Sequence, residues 1–491
     1  MRLLKMNKIV KLDKRFFIKN KIHDENSWLA QELKESKLKD ARLNKRFLRL
    51  CESLYAGIGE SIPYACQDWA NTKAAYRFFS NNRVNEEEIL SGHFLSTKER
   101  VANAQGNILI LHDTTEFKYQ HDDPREIGLL TELPKKRNLF GKLMRITTHG
   151  VLMHSSLAVT TAGLPLGLTA IKFFTRKKFV GVNELKRHIN ATRIPIDKKE
   201  SIRWLDNLRQ ATTLIDDPNR CIHIGDRESD IYELFCEAQK ANTHFLVRTC
   251  VNRLAGNGRH TVADEMSQIR TKGLHRIEVR DSKGNISQTK LEIKYKSVMV
   301  LPPIGKSNRY PRLQLTVIYA EEKKKPKNRE RIVWKLLTDL SVTSLKEAVE
   351  KLNWYAMRWK IELFHKILKS GCKAESSKLR TANRITNLIA VFCILSWRIF
   401  WMTMLNRTLP NAASALALTE TEIKLLDKLI SNKGTKKKKK LSDYLVGIAK
   451  LGGYLARRSD SPPGNIVMWR GITRLIDIEL GFNMATKIVG N

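Results

Sequence analysis

Two aspartates each stand at the end of a short apolar run that has the length of a β-strand. Asp113 closes the run NILILHD, and Asp226 closes the run CIHIGD. In open α/β sheets, binding sites form outside the carboxyl ends of the strands. Two carboxylates placed there repel each other unless a cation lies between them, and Mg²⁺ prefers oxygen ligands. Either aspartate alone is better explained as a turn or helix cap, but the pair, in a strongly basic protein, favours a metal site.

A third carboxylate lies on a predicted helix over residues 344–371. At about 100° per residue, one face of this helix carries Tyr355, Arg358, Glu362 and Lys369. A carboxylate among cations is ordinarily a surface salt bridge. Alternatively, Glu362 completes a metal site with the two aspartates. Arg358 and Lys369 would then hold phosphates, since Arg binds phosphate through a planar fork and Lys as a point charge.

These residues predict metal-dependent phosphoryl displacement. Two Mg²⁺ ions about 3.5–4 Å apart activate a nucleophile and stabilise the leaving oxygen, so no Ser, Cys or Tyr nucleophile is needed. The sequence has no H-E-x-x-H motif and no Cys/His cluster of the kind that binds zinc. It also has no Walker loop, so an ATP-driven mechanism is unsupported.

The charge of the chain predicts an acidic partner. The 491 residues include 88 Lys and Arg against 50 Asp and Glu, a net charge of +38, which favours nucleic acid first and an anionic membrane second. The seven cysteines form no C-x-x-C pair, and a reducing cytoplasm fits best. The basic N-terminus has no apolar run long enough for a signal peptide. The apolar segment 388–405 is interrupted by Arg398, so we interpret it as a buried helix and expect no membrane association.

The elements that must position these side chains form an α/β pattern. Residues 24–105 are predicted to be helical, including one stretch over 28–56. From Asn107 onward, strands alternate with helices. Residues 251–330 are instead predicted to be an all-β insertion, because LHRIEVRD, KLEIKYKSVMV and RLQLTVIYA are typical of strands and no helix of note is expected between them. Helices are expected again over 344–371 and 380–405.

The motif Y-x₂-R-x₃-E-x₆-K at 355–369 resembles the signature of the IS-four family of bacterial transposases. HDTTEF around Asp113 and GDRESDIY around Asp226 are similar to the first and second acidic motifs of the Tn-five-type members. The resemblance implies a ribonuclease-H-like catalytic core with an inserted β-sheet subdomain and helical terminal domains. It implies a DNA-binding domain over 1–105, a catalytic domain over 106–405 with its insertion at 251–330, and a dimerisation domain over 406–491.

The resemblance also implies an activity. A cut-and-paste transposase binds terminal inverted repeats, hydrolyses one strand at the element's end, forms a hairpin, resolves it and joins the 3′ end to target DNA. Asp113, Asp226 and Glu362 would bind two Mg²⁺ ions, with Mn²⁺ as a substitute. The expected partners are double-stranded DNA and a second copy of the chain, in a bacterial cytoplasm and near the nucleoid.

Further residues carry over from the family one at a time. Trp334 matches a tryptophan that stacks on a flipped base, although a core position is the alternative. Arg248 matches an arginine that contacts the DNA backbone, but Cys250 stands where a lysine is expected, which weakens that assignment. Three arginines of the N-terminal domain match positions that face the terminal repeat, and solvated surface is the alternative for each of them: Arg42, Arg46 and Arg77.

Two other functions remain open at this point. The first is a structure-specific nuclease that uses two metal ions, although the motif at 355–369 and Trp334 argue against it. The second is a DNA-binding regulator or inhibitor of transposition derived from a transposase, which would not need an intact acidic triad. The lysine run at 436–440 is interpreted as a linker with nonspecific DNA affinity.

Overall fold

The computed structural model describes residues 27–36, 38–120, 126–137, 143–176, 194–280, 286–326, 329–430 and 439–489. Their contacts form two compact units. One comprises residues 97–366 and is called the sheet unit, and the other comprises 1–96 together with 367–491 and is called the helical unit. The first and last parts of the chain therefore share one unit, and the three domain boundaries expected from the sequence stay a prediction.

The sheet unit is built on one twelve-stranded mixed sheet. Its strands are β1 Ile108–Tyr119, β2 Leu129–Arg137, β3 Leu143–Thr160, β4 Pro165–Phe174, β5 Cys221–Gly225, β6 His244–Arg248, β7 Leu254–Ala255, β8 His260–Thr261, β9 Gly273–Arg280, β10 Ile286–Val300, β11 Leu313–Glu322 and β12 Val333–Thr338. The order is β2-β3-β1-β5-β6-β12-β11-β10-β7-β8, with β4 paired to β3 and β9 paired to β10. The predicted α/β class is confirmed.

Strand β1 lies between β3 and β5 in this sheet. It pairs antiparallel with β3 along its whole length and parallel with β5 over Ile108–Leu111 only. Every residue of β5 is buried, as expected of a parallel strand that is covered on both faces. Helices α6 (Ile202–Leu214) and α7 (Tyr232–Lys240) follow β4 and β5 in the chain. They pack their apolar sides into a core with β6 and the strands beyond it.

The strand-rich segment does not form a sheet of its own. Strand β12 pairs with β6 on one side and with β11 on the other, so the segment extends the central sheet. This pairing satisfies the backbone groups of β6, which would otherwise form an exposed edge. The segment also contains helix α8 (Val262–Ser267), which Thr261 and Asp264 begin with a capping box. The expectation of an all-β insertion is therefore wrong, although this helix precedes the three expected strands and none lies between their described residues.

The helical unit contains α1 Trp28–Glu32, α2 Ala41–Ala56, α3 Ile62–Cys66, α4 Trp69–Phe79, the first part of α5 Glu86–Asn103, α11 Ala382–Thr408, α12 Glu420–Leu429, α13 Leu441–Leu451 and α14 Asn465–Val489. The single helix expected over 28–56 is wrong. Its interruption has a local cause, because the Asp40 carboxylate accepts a hydrogen bond of 2.8 Å from the Arg42 amide and starts α2 afresh. Side-chain oxygens at this position satisfy an amide that the first helical turn leaves unpaired.

Helix α11 is long and apolar enough to cross a membrane, but its most apolar window is entirely buried within the protein. Its interruption, Arg398, is buried too. The guanidinium lies 5.0 Å from the ring of Trp28 and 4.9 Å from that of Trp401, and it donates to the Ala417 carbonyl at 2.5 Å. Ring faces and a carbonyl are favourable surroundings for a buried guanidinium. The interpretation of this segment as a buried helix is confirmed.

Of the lysine run at 436–440, only the last two residues are described. Lys439 lies 2.6 Å from an oxygen of Asp427, and Lys440 donates to Asn411 at 2.8 Å. Lys436, Lys437 and Lys438 lie outside the described residues, as do residues 1–26. At its described end the run therefore makes specific polar contacts.

Candidate active site

Asp113 and Asp226 occupy equivalent positions on two neighbouring parallel strands. The register pairs Leu111 with Ile224, so each aspartate lies two residues beyond a residue of this pair. Asp226 follows the last residue of β5, as expected. Asp113 does not end its strand, because β1 continues to Tyr119 through its pairing with β3. The parallel partner β5 stops at Gly225, however, so Asp113 lies just past the end of the parallel pair.

Asp226 also has a structural task. Its Oδ1 accepts from the Glu228 amide at 2.9 Å, and its carbonyl accepts from the Ser229 hydroxyl at 2.6 Å. These bonds begin a short 3₁₀ turn over Arg227–Ser229. The turn-capping explanation of this aspartate is therefore correct, and the bonds fix the carboxylate at the strand end.

The third carboxylate is placed by a break in the helical segment. The single helix expected over 344–371 is wrong: the chain forms α9 (Leu345–Ala356) and α10 (Trp359–Lys366), separated by Met357 and Arg358. At this break the Arg358 amide bonds to the Tyr355 carbonyl at 3.0 Å, and Lys360 bonds to Met357 at 2.9 Å. Both are contacts of the tighter i→i+3 type. Helix α10 packs against β1 and brings Glu362 towards Asp113.

Arg358 connects two of the three carboxylates. Its Nη2 lies 2.5 Å from Oε1 of Glu362, and its Nη1 lies 3.8 Å from Oδ1 of Asp113. The guanidinium is only 14% exposed, so its charge is weakly screened by water. It occupies the position of a counter-ion among the acidic residues.

The carboxylates influence one another strongly. Burial raises the pKa of Asp113 to about 7; Arg358 opposes this shift, and the negative charges of Glu362 and Asp226 add to it. A carboxyl group surrounded in this way resists ionisation until a cation compensates the charge.

The site fits a divalent ion by its donor chemistry. Among the described residues, no three His, Cys, Asp or Glu side chains stand in a metal-ligating arrangement, and Glu362 is instead held by Arg358. Three carboxylates nevertheless supply the oxygen ligands that Mg²⁺ and Mn²⁺ prefer. The charge repulsion at Asp113 is also what a bound cation would relieve.

Polar side chains that are buried or half-buried lie next to Asp113 on the neighbouring strand and helix. His365 lies 3.7 Å from Oδ2 of Asp113 through its Nδ1, and its Nε2 is 2.8 Å from the Ser155 hydroxyl. Ser155 is the direct cross-strand partner of Asp113. Next to it, Thr114 bonds to His154 at 2.9 Å. The sequence analysis missed these side chains, although the position of His365, three residues after Glu362, offered a signal.

Trp334, Tyr355 and Arg248 form a cluster at the ends of β12 and β6. The rings of Trp334 and Tyr355 meet edge to face with centroids 5.5 Å apart. Trp334 is half-buried, whereas Tyr355 is only 6% exposed. Arg248 donates to the Val333 carbonyl at 2.9 Å. The aromatic pair therefore has a packing role in addition to whatever it contacts on DNA.

Asp230 organises the loop that contains Cys250, and the sequence analysis overlooked it. Its Oδ2 accepts from the amides of Cys250 and Val251 at 2.7 and 2.8 Å, and its Oδ1 lies 2.5 Å from Arg253. Burial, followed by the charge of Asp230, raises the pKa of the Cys250 thiol. A thiol that stays protonated supplies no positive charge, so position 250 does not replace the lysine of the family motif.

The four other predicted DNA contacts lie in the helical unit. Lys369 belongs to a π-helical segment, Ile367–Gly371, in which the Cys372 amide bonds back to Ile367 at 3.0 Å. The 100° spacing therefore does not extend to it. Arg42 and Arg77 are exposed, and Arg46 donates to Asn71 at 3.3 Å.

Two family models match the chain. Residues 25–84 match a transposase DNA-binding domain, and residues 394–486 match the transposase Tn5 dimerisation domain. The chain is a Tn5-type transposase. The resemblance inferred from the motifs at the three acidic residues is thus confirmed by segments that contain none of them. DNA and a second copy of the chain are partners of this transposase.

Replacing Asp113 by Asn should stabilise the metal-free transposase. Because the pKa of Asp113 is raised from 3.8 to about 7, the folded state binds a proton more tightly than the unfolded state, and the wild type loses stability as pH rises through this window. We expect Asp113→Asn to raise the free energy of unfolding at pH 8, in EDTA, by on the order of 1 kcal/mol. Urea unfolding followed by circular dichroism measures it.

The gain should vanish at pH 3.5, where Asp113 is protonated in both states. Asp216→Asn, at a carboxylate that is 74% exposed, is the matched control and should change little. A variant less stable than the wild type at pH 8 would show that ionisation of Asp113 does not destabilise the folded protein.

Proposed function

We propose that this transposase is a cut-and-paste enzyme. It binds the terminal inverted repeats of its element, excises the element by Mg²⁺-dependent phosphodiester hydrolysis and hairpin formation, and joins the 3′ ends to target DNA. The observation that carries the proposal is the closeness of Asp113 to Asp226 and Glu362, with Arg358 next to Asp113 and Glu362. An inhibitor or regulator that only bound DNA would have no use for such a group.

The strand order supports a ribonuclease-H-like core. Strand β3 runs antiparallel to both β4 and β1, whereas β5 and β6 continue from β1 in parallel. Two acidic residues at the carboxyl ends of the central parallel strands and a third on a following helix give the DDE arrangement. The segment 251–330 is then an insertion that enlarges the sheet between β6 and α9.

Asp113, Asp226 and Glu362 would hold two Mg²⁺ ions, for which Mn²⁺ can substitute. When bound, the ions supply an activated water and stabilise the leaving oxygen in an in-line displacement. The chain's own residues prepare the site. Arg358 neutralises Glu362 before metal binding, and on release it becomes available to hold a phosphate through its planar fork.

Further DNA contacts are assigned by resemblance. Tyr355, Arg358 and Lys369 hold the DNA backbone, Lys369 as a point charge, and Arg248 contacts it as well. Trp334 stacks on a base extruded near the cleaved end, which offsets part of the cost of unpairing. Arg42, Arg46 and Arg77 contact the terminal repeat. Each protomer of the dimer cleaves the end gripped by its partner, and the enzyme works in the bacterial cytoplasm at the nucleoid.

Glu362→Gln should abolish cleavage and leave end binding within about twofold, because the variant loses a ligand charge but none of the basic residues that bind phosphate. The test uses purified protein, duplex DNA carrying the native flanks of the gene, and Mg²⁺. Cleavage is scored on denaturing gels and binding by gel shift. Equal cleavage by both proteins would remove Glu362 from the metal site. Specific binding without cleavage by the wild type would favour a transposition regulator.

Trp334→Ala should slow hairpin formation by roughly tenfold and first-strand nicking much less, since an extruded base loses stacking worth about 1–3 kcal/mol. Quenched time courses separate the two products. Trp334→Phe, which keeps an aromatic face, should recover most of the hairpin rate. If both steps slow equally in Trp334→Ala, the side chain acts only through its packing on Tyr355.

A further inference from the structure

Helix α4 presents an unusual surface on the side that faces away from the core. Its inner side carries Phe78, whose ring stacks parallel on Phe47 at 5.7 Å, and Ala75 and Phe79, which are each 1% exposed. This packing fixes the rotation of the helix about its axis. The packing of the inner side therefore determines which residues of α4 face outward.

The outward side carries an aromatic residue followed by cations. Trp69 is 77% exposed, and Lys73, Tyr76 and Arg77 follow it, all exposed, at spacings of four, seven and eight residues, which place them on one helical face. Helix α4 contains no acidic residue. A tryptophan so exposed is uncommon in a soluble protein and marks a contact surface when it is joined to other apolar groups.

The entry to α4 is rigid. Gln67 takes a left-handed conformation with φ of 67°, and Asp68 caps the helix through the Asn71 amide at 2.7 Å and holds the Asn71 side chain at 2.7 Å. A short helix, α3, precedes this turn. Two helices joined by a tight turn are the arrangement in which the second helix enters the major groove and its first residues contact base edges.

The dimensions of this face suit duplex DNA. Trp69 is the first residue of α4, and Arg77 lies eight residues later, about 12 Å along the axis at 1.5 Å per residue. The major groove is about 12 Å wide. With the indole ring inside the groove, the guanidinium reaches its edge, where the phosphates lie. The indole ring carries no charge and a single N–H donor, so most of its surface is suited to apolar contact with the bases.

We propose that Trp69 is a specificity-determining residue that contacts the 5-methyl groups of thymines in the terminal repeat through the major groove. Lys73 and Arg77 hold phosphates on the same face. Apolar side chains are the groups that recognise thymine methyls. The proposal rests on the DNA-binding role of the domain, which the match over 25–84 gives. It goes further by naming the helix surface that recognises the DNA sequence and the base group that this surface contacts.

The test measures binding in EDTA, so that it does not depend on cleavage. The probes are duplexes from the native flanks of the gene, limited to the region that the wild type protects in a footprint, and a shuffled duplex of the same composition. Trp69→Ala should weaken binding to the flank duplex by about tenfold and binding to the shuffled duplex by less than twofold, with an unchanged salt dependence. Arg77→Ala should weaken both and reduce the salt slope by about one.

Replacing thymine by uracil in the flank duplex removes only the 5-methyl groups. It should weaken wild-type binding by about as much as Trp69→Ala does, and it should leave the binding of Trp69→Ala unchanged. Trp69→Phe should retain sensitivity to uracil. Ile304→Ala, at an apolar side chain that is 83% exposed, is the matched control and should match the wild type.

Three results would overturn the proposal. Trp69→Ala could weaken flank and shuffled duplexes equally, uracil could weaken wild type and variant alike, or the variant could change the oligomeric state, which would make Trp69 a protein contact. Loss of cleavage in an otherwise specific binder would count against the proposed enzymatic function and leave this proposal standing.

Discussion

The burial of one carboxylate close to two others is the constraint on which the proposed catalytic centre of this transposase depends. Asp113, Asp226 and Glu362 are close enough that two of them raise the pKa of the third. The folded protein tolerates this because the Arg358 guanidinium contacts Glu362 and approaches Asp113. A site of this kind favours any cation that can replace the arginine, and divalent metal ions have both the charge and the oxygen affinity to do so.

The strand pairing and the helix break of the sheet unit position these carboxylates. The in-register pairing of β1 with β5 places two aspartates at the same level of the sheet. The break between α9 and α10 directs Arg358 and Glu362 towards them, and Ser155 and His365 support Asp113 from the adjoining strand and helix. Polar groups placed around ligating carboxylates orient them in metal sites. Because the pKa of Asp113 is raised, we expect its ionisation to cost stability, as is common at sites shaped by activity.

The acidic residues and the fold class were predictable because their signals are local. Apolar runs that end on aspartates predict buried strands, and the motif at 355–369 fixes the third carboxylate. The errors came from contacts that are distant in sequence. The antiparallel pairing with β3 carries β1 beyond Asp113, and β12 joins the insertion to the main sheet by pairing with both β6 and β11. The periodicity of apolar residues also does not show where the helical hydrogen bonds change to the i→i+3 type, as they do at Met357, or to the π-helical type, as they do after Lys366.

If the three carboxylates bind the ions that cleave DNA, as we propose, replacing one of them by a sulfur ligand should change the metal preference of cleavage. Asp226→Cys places a sulfur ligand where Mg²⁺ requires oxygen, whereas Mn²⁺ accepts a softer ligand. We expect this variant to cleave DNA carrying the native flanks at a rate at least tenfold below that of the wild type in Mg²⁺. In Mn²⁺ it should recover a substantial part of the wild-type rate. Wild-type cleavage in Mg²⁺, or the same deficit in both ions, would contradict the assignment of Asp226 as a metal ligand.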